Sequence, residues 1–259
     1  MRRAALITGG GTGIGAATAR ALAADGWLVG LIGRRPAPLE QVATETAGLA
    51  FPGDAADEAH LAHAVAGLTA AGGTLCALVC SAGGGRSGSA LTQTRAGFED
   101  VLRQNLTAPF LAAKACLPAL LETGGAIVIV ASLAGLRAGP ESVAYGSAKA
   151  GAVHLGRMLA VDHGPQGVRT NVVCPGWVRT PMADAALAPL AEQSGGLASA
   201  YAEVTRYAPS RRAAEAEEVA DAIVWLVGDR ASGINGATIT IDGGAHVVDA
   251  EGIAFLPPR

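Results

Sequence analysis

The chain has 259 residues, of which half are hydrophobic and only 4% aromatic, with 36 glycines and a net charge of −3. That length, with no Pro-, Ser- or charge-rich linker to divide it, reads as one domain with its own core, and the charge balance leaves no basic footprint for nucleic acid. Arg2 and Arg3 precede an apolar stretch, but Ala4 to Ile7 is too short for a signal peptide or a membrane anchor. The expected location is therefore the cytoplasm, with no membrane partner.

Strand-like and helix-like patterns alternate along the whole chain. This predicts a single-domain α/β fold of Rossmann type over residues 1–259: a doubly wound, seven-stranded parallel sheet with helices on both faces. The first strand is Ala4 to Thr8. The run Thr8-Gly9-Gly10-Gly11-Thr12-Gly13-Ile14-Gly15 then turns into a helix from Ile14 to Ala24. Strand, glycines and helix in that order form the context in which backbone amides and a helix N-terminus meet a pyrophosphate; Gly9, Gly11, Thr12, Gly13, Ile14 and Gly15 are the expected contacts. The second strand, Leu28 to Ile32, ends in Gly33-Arg34-Arg35-Pro36. A dinucleotide fold that prefers NAD places an acid roughly 20 residues beyond the glycines, on the ribose. No acid stands between Asp25 and Glu40, and two guanidinium groups suited to a 2′-phosphate occupy the place. The cofactor expected is NADP(H) in preference to NAD(H), with Arg34 the principal contact and Arg35 the second.

A short third strand, Leu49 to Phe51, leads to Gly53-Asp54-Ala55, and Asp57 has the place of an N-cap for a helix over Glu58 to Ala71. His60 and His63 on that helix lack the Cys or carboxylate partners of a metal site, so they are expected in solvent and no metal is predicted. The fourth strand, Leu75 to Cys80, runs into Ser81-Ala82-Gly83-Gly84-Gly85. A long helix from Arg95 to Leu121 contains Asn105, a poor residue for a helix interior. Cys76, Cys80, Cys116 and Cys174 lack CxxC spacing and are expected as buried, reduced thiols.

The apolar run Ala126 to Ala131 reads as a buried strand delivering Ser132 to the carboxyl edge of the sheet, where open α/β sheets bind ligands. In the following helix, Glu141 to His163, Tyr145 and Lys149 are four residues apart and share a face. The ammonium is therefore expected to lower the pKa of the phenol toward working range. The sixth strand, Arg169 to Cys174, ends at Pro175-Gly176-Trp177-Val178-Arg179-Thr180. Ala183 to Ser210, hinged at Gly195-Gly196, reads as a substrate lid. A helix from Glu215 to Val227 and a strand from Thr238 to Ile241 close the sheet at Asp242-Gly243-Gly244. The apolar tail over 245–259, with Ile253, Ala254, Phe255 and Leu256, is expected to dock on a neighbouring subunit.

Ser132, Tyr145 and Lys149, together with the glycine run from Thr8 to Gly15, resemble the short-chain dehydrogenase/reductase family, from about Ala4 to Gly244, including its 3-oxoacyl carrier-protein reductase-like members. The resemblance implies that Asn105, Ser132, Tyr145 and Lys149 form a catalytic tetrad, with Asn105 holding a water that links the lysine to solvent. It also implies that Asp54 meets the adenine amino group with the Ala55 backbone beside it, and that Ala82 and Gly83 approach the cofactor. Tyr145 and Lys149 then border the nicotinamide ribose, while Pro175, Gly176, Val178 and Thr180 hold the carboxamide. Cys80 and Ser81 stand where the family commonly has two asparagines, which puts the bracing of the central sheet in doubt. The family also pairs the Tyr145 helix with its copy in another subunit, so a homotetramer or homodimer is expected.

Three functions follow in order. The first is an NADP(H)-dependent oxidoreductase interconverting a small ketone and a secondary alcohol, with Tyr145 as acid and base. The second uses the same chemistry on a 3-oxoacyl thioester, whose acidic carrier would want basic residues such as Arg137, Arg206, Arg211 and Arg212. The third is a nucleotide-binding sensor without turnover.

Overall fold

The computed structural model describes residues 2–85, 88–249 and 251–255. Seven strands form one sheet: β1 (Arg2–Thr8), β2 (Leu28–Gly33), β3 (Leu49–Pro52), β4 (Gly73–Cys80), β5 (Ala126–Val130), β6 (Arg169–Pro175) and β7 (Thr238–Ile241). Their order is β3-β2-β1-β4-β5-β6-β7 and every pairing is parallel. The chain winds outward from β1 in one direction and from β4 in the other, so the β1/β4 boundary is the switch point at which such sheets open a crevice at their carboxyl ends.

Successive strand residues point to opposite faces, and each face is buried under its own helices. One core joins Leu6, Leu78 and Ile127 to α3 (Glu58–Ala70), α5 (Ala108–Thr123) and α6 (Val143–His163) through Leu61, Leu68, Leu120 and Val153. The other joins Ile7, Val79 and Val128 to α1 (Gly13–Ala24), α2 (Pro36–Thr46) and α9 (Ala216–Val227) through Leu22, Val42 and Ile223. The doubly wound sheet expected from the sequence is the one observed.

Helix α2 is an addition, since the sequence reading assigns no element there. Pro36 and Pro38 sit in its first turn, where a missing N–H costs no hydrogen bond, and Leu39, Val42, Ala43 and Thr46 recur at helical spacing on its buried side. The long helix expected from Arg95 is α4 (Arg95–Leu102) and α5, joined by a wide π-turn over Arg103–Thr107. Asn105 lies in that turn and its side-chain amide donates to the Val101 carbonyl at 2.9 Å. An extra residue in a helix is the means by which such turns re-aim a side chain. Helix α6 starts at Val143, two residues later than expected, because Glu141 takes a left-handed φ of 52°. Asp57 caps α3 by accepting from the Ala59 and His60 amides.

The lid segment forms two helices, α7 (Pro181–Ser194) and α8 (Leu197–Val204), around a small core of Leu187, Ala200, Tyr201 and Ala213. Gly195 and Gly196 join them with φ of 89° and 123°, backbone that favours glycine. The first part of the tail folds on its own chain: Arg137 donates to the carbonyls of Ala245 at 2.6 Å and Val248 at 3.1 Å. Leu256 and the side chains of Ala254 and Phe255, on which the docking expectation also rests, lie outside the described residues. Among the described residues no helix is long and apolar enough to cross a membrane.

Candidate active site

Three loops meet at the carboxyl edge of the sheet, and glycines let them meet. Gly9, at φ 69°, follows β1; a Cβ there would stand 2.8 Å from the Ala82 backbone in the loop after β4. Gly13, at φ 54°, faces the Thr180 side chain from the loop after β6, 3.0 Å from where its Cβ would be. The switch-point crevice is therefore lined by the motif residues the sequence singles out. Helix α1 opens at Thr12 with no side-chain cap and no acid in its first turn, which leaves its leading amides and dipole available to an anion. This donor set fits the pyrophosphate of a dinucleotide.

Arg34 and Arg35 are exposed at the end of β2. Arg35 Nη2 reaches Thr12 Oγ1 at 3.1 Å, beside the glycine loop, and Arg34 Nη2 reaches Gln104 Oε1 at 3.4 Å. Asp54 lies just beyond the end of β3, within reach of the Arg34 charge, with Ala55 buried beside it. Burial alone would raise the Asp54 pKa, but the Ala56 amide and Arg103 stabilise the carboxylate and hold it below its ordinary value.

The Ser132 turn lies directly on α6, since a Cβ at Gly135 would be 2.7 Å from the Lys149 carbonyl carbon. Buried Ala144, Ala148 and Ala152 let α6 approach closely, which brings Tyr145 and Lys149 to Ser132. Lys149 is buried, donates from Nζ to the Val130 carbonyl at 2.9 Å, and has its pKa lowered to about 8 by burial. Its Nζ lies 5.6 Å from the Tyr145 ring centroid. Ser132 Oγ accepts the Ala134 amide at 3.1 Å.

One expectation is corrected here. The Tyr145 pKa is raised, not lowered: burial of the phenol outweighs the neighbouring Ser132 hydroxyl, which pulls the other way. The Lys149 ammonium, 5.6 Å from the ring centroid, does not offset that burial.

Asn105 is buried, and both donors of its amide are used, on the Val101 and Gly84 carbonyls; its oxygen accepts the Gly84 amide at 3.2 Å. Its visible work is to brace the loop after β4. A Cβ at Gly83 would stand 2.7 Å from Asn105 Oδ1 and 3.3 Å from Lys149 Nζ, and one at Gly85 would stand 2.8 Å from the Tyr145 ring. The bracing that Cys80 and Ser81 put in doubt is supplied in part by Thr8, whose hydroxyl accepts the Ala82 amide at 3.1 Å.

At the end of β6 the Gly176 amide donates to Ile241, and a Cβ there would stand 2.9 Å from the Asp242 side chain. Val178 is buried; Thr180 caps α7 by accepting the Ala183 amide at 3.2 Å. Trp177, Met182, Leu197 and Tyr207 leave apolar surface exposed on and near the lid, whereas Tyr201 is a buried strut that donates to Asp184 at 2.8 Å. Cys80 and Cys174 flank Lys149 as buried thiols, with pKa values pushed up by burial to about 12 and about 11. Cys76 is only half-buried, against expectation; all four cysteines are free thiols. His60 and His63 are exposed, and no metal-binding cluster occurs among the described residues.

The sequence reading missed Arg103 and the Arg137 contact with the tail. Neither belongs to a motif, and their partners, Asp54 and the Ala245 and Val248 carbonyls, are remote in the chain.

A doubly wound parallel sheet with a glycine loop at its switch point and a Ser, Tyr and Lys gathered at the same edge defines a Rossmann-type oxidoreductase. Residues 9–246 match the family model described as enoyl-(acyl carrier protein) reductase. The chain is 41% identical to Protein MoaE of Klebsiella aerogenes, over 98% of this chain and 100% of that one. It is 37% identical to 2-(S)-hydroxypropyl-CoM dehydrogenase 3 of Xanthobacter autotrophicus, over 93% and 96% of the two chains, and 34% identical to levodione reductase of Leifsonia aquatica, over 93% of each. A crystal structure of levodione reductase superposes with a TM-score of 0.89 at 33% identity, covering 95% of this chain and 98% of that one. The chain belongs to the short-chain dehydrogenase/reductase family of oxidoreductases.

Proposed function

We propose that the protein interconverts a small ketone and a secondary alcohol with NADP(H) in preference to NAD(H), and does so in the cytoplasm. The observation that carries the chemistry is the convergence of Ser132, Tyr145 and buried Lys149 at the crevice that the glycine loop opens. The names of two relatives, levodione reductase and 2-(S)-hydroxypropyl-CoM dehydrogenase, support a carbonyl and alcohol pair as substrate and product.

When bound, the cofactor supplies or accepts the hydride. The chain does the rest. Leading amides of α1 and Gly9, Gly11, Thr12, Gly13, Ile14 and Gly15 hold the pyrophosphate; Arg34 and Arg35 hold the 2′-phosphate; Asp54 and Ala55 meet the adenine. Ala82 and Gly83 pass close to the cofactor, and Pro175, Gly176, Val178 and Thr180 orient the carboxamide. Ser132 donates to the carbonyl oxygen, and Tyr145 delivers its proton there in reduction and removes it in oxidation. A phenol is protonated at neutral pH whether or not its pKa is raised, so Tyr145 is in the form that donates in reduction, and the raised pKa disfavours the deprotonated form that oxidation needs. Lys149 lends charge to the phenol and binds the nicotinamide ribose. Asn105 keeps the loop beside Lys149 in place and a water path to Nζ open. The two-helix segment over 183–210 covers the substrate.

A 3-oxoacyl thioester is the second reading; the description of the matching family model shares with it only the acyl carrier protein. The four arginines that a carrier protein would use have partners within the chain: Arg206 pairs with Glu203, Arg212 with Glu218, Arg211 donates to the Arg206 carbonyl, and Arg137 holds the tail. A free small molecule is therefore the better substrate class. Exposed Phe110 on α5 and Met158 and Val161 on α6 suit pairing with a second copy into a homodimer or homotetramer, with the apolar tail as a further contact. Oxidation of NADPH and NADH over ketones, diketones and 3-oxoacyl thioesters, with Tyr145→Phe alongside, tests the assignment. Turnover retained in that variant overturns the role of Tyr145; thioester turnover above ketone turnover reverses the order of the two readings.

A further inference from the structure

Asp54 stands between two guanidinium groups, and only one of them follows from the sequence motifs. Its Oδ1 accepts the Ala56 amide at 2.9 Å and its Oδ2 accepts Arg103 Nη2 at 2.7 Å. Arg34 acts on the same carboxylate by charge, from the opposite element, and reaches Gln104, the neighbour of Arg103, at 3.4 Å. The π-turn over Arg103–Thr107 places Asn105 in the interior and leaves Arg103 half-exposed at the end of β3. Among the described residues, Asp54 is the one hydrogen-bonded partner of the Arg103 side chain.

A carboxylate offers about four lone-pair positions, and two on Asp54 are in use. A third can take an amino group only if the carboxylate keeps its orientation. Without Arg103, the strongest remaining cation near Asp54 is Arg34, and a carboxylate drawn to Arg34 would neutralise the charge that the 2′-phosphate needs.

We propose that Arg103 is a positioning residue for the adenosine end of the cofactor: it pins Asp54 so that the carboxylate accepts the adenine amino group and leaves Arg34 for the phosphate. This rests on the reading of Asp54 and Arg34 given above. The role is separable from catalysis, so it is tested by binding alone.

Binding of ADP and of 2′,5′-ADP to the full chain is measured by calorimetry for the wild type, Arg103→Ala, Arg103→Lys, Asp54→Asn, Arg34→Ala and the Arg103→Ala/Asp54→Asn double variant, with melting temperature as a folding control. Arg103→Ala is expected to weaken ADP roughly five- to tenfold, less than the loss of a direct charged hydrogen bond to the ligand, because Arg103 acts through Asp54. Arg103→Lys should recover part of the loss, and the double variant should bind no worse than Asp54→Asn alone. Unchanged ADP affinity in a folded Arg103→Ala, or losses that multiply in the double variant, overturns the inference. Arg34→Ala should weaken 2′,5′-ADP only; if it does not, the NADP preference fails, while the ADP series still decides the role of Arg103.

Discussion

Lys149 Nζ stands 5.6 Å from the centroid of the Tyr145 ring and donates to the Val130 carbonyl at 2.9 Å. The lysine is thus anchored to the end of β5, the strand that delivers Ser132, and the geometry of all three residues is set by one strand end and one helix. Burial lowers the Lys149 pKa to about 8 and raises that of Tyr145, so of the two the lysine gives up its proton more easily.

For that reason kcat/KM for ketone reduction should be level below pH about 8 and fall above it, as Lys149 loses its proton in the free enzyme. A pH–rate profile from 6 to 10 checks this. A profile flat through pH 9 would mean that Lys149 either keeps its proton or is not needed charged.

Replacing Tyr145 with Phe removes the proton donor and leaves the packing of the ring. Turnover should drop by ~10²- to 10⁴-fold, the usual worth of a general acid, with NADPH affinity within about twofold of wild type. Steady-state rates and a fluorescence titration with NADPH measure the two separately.

Gly83→Ala places a methyl group 2.7 Å from Asn105 Oδ1 and 3.3 Å from Lys149 Nζ. Such overpacking costs ~1–3 kcal/mol, so the midpoint of urea unfolding should fall and activity with it. Gly139→Ala, where no atom lies within 4 Å of the new methyl, should leave both unchanged. Equal behaviour of the two variants would show that the loop after β4 is not held as described.

Arg34→Ala should raise the Kd for NADPH by about tenfold to a hundredfold, corresponding to ~1.5–3 kcal/mol for a charged hydrogen bond, and leave NADH unchanged. Titration with both cofactors gives the ratio.

Stability at alkaline pH reflects two opposed buried groups. Folded Lys149 releases its proton near pH 8 while the unfolded lysine holds its own to ~10.4, so in that window the unfolded chain binds more protons and this contribution to stability rises with pH. Cys80 and Cys174 behave oppositely: unfolded thiols ionise from ~8.5, folded ones only near 12 and 11, so their contribution falls as pH rises beyond ~8.5. With Cys116, likewise raised by burial, three thiols outweigh one ammonium, each with a slope of at most about 1.4 kcal/mol per pH unit. Urea midpoints should therefore hold to about pH 8.5 and then decline, and Cys80→Ala should decline less steeply.

Much of this protein is written in local patterns. The alternation of apolar runs such as Ala126 to Val130 with helical segments set the doubly wound sheet, because a strand buried on both faces has no other composition available to it. The glycines from Gly9 to Gly15, the Tyr145 and Lys149 spacing, and Arg34 and Arg35 in place of an acid marked the site, because tight turns, helix faces and charge reversal are properties of short stretches. Helix α2 was hidden by Pro36 and Pro38, which look like loop residues until the first turn of a helix excuses them. What tertiary structure alone decided were the consequences of burial and of distant contact. The phenol of Tyr145 is raised and not lowered because desolvation depends on everything packed around it. Arg103 meets Asp54, and Arg137 meets the Ala245 carbonyl, across separations that no local pattern encodes.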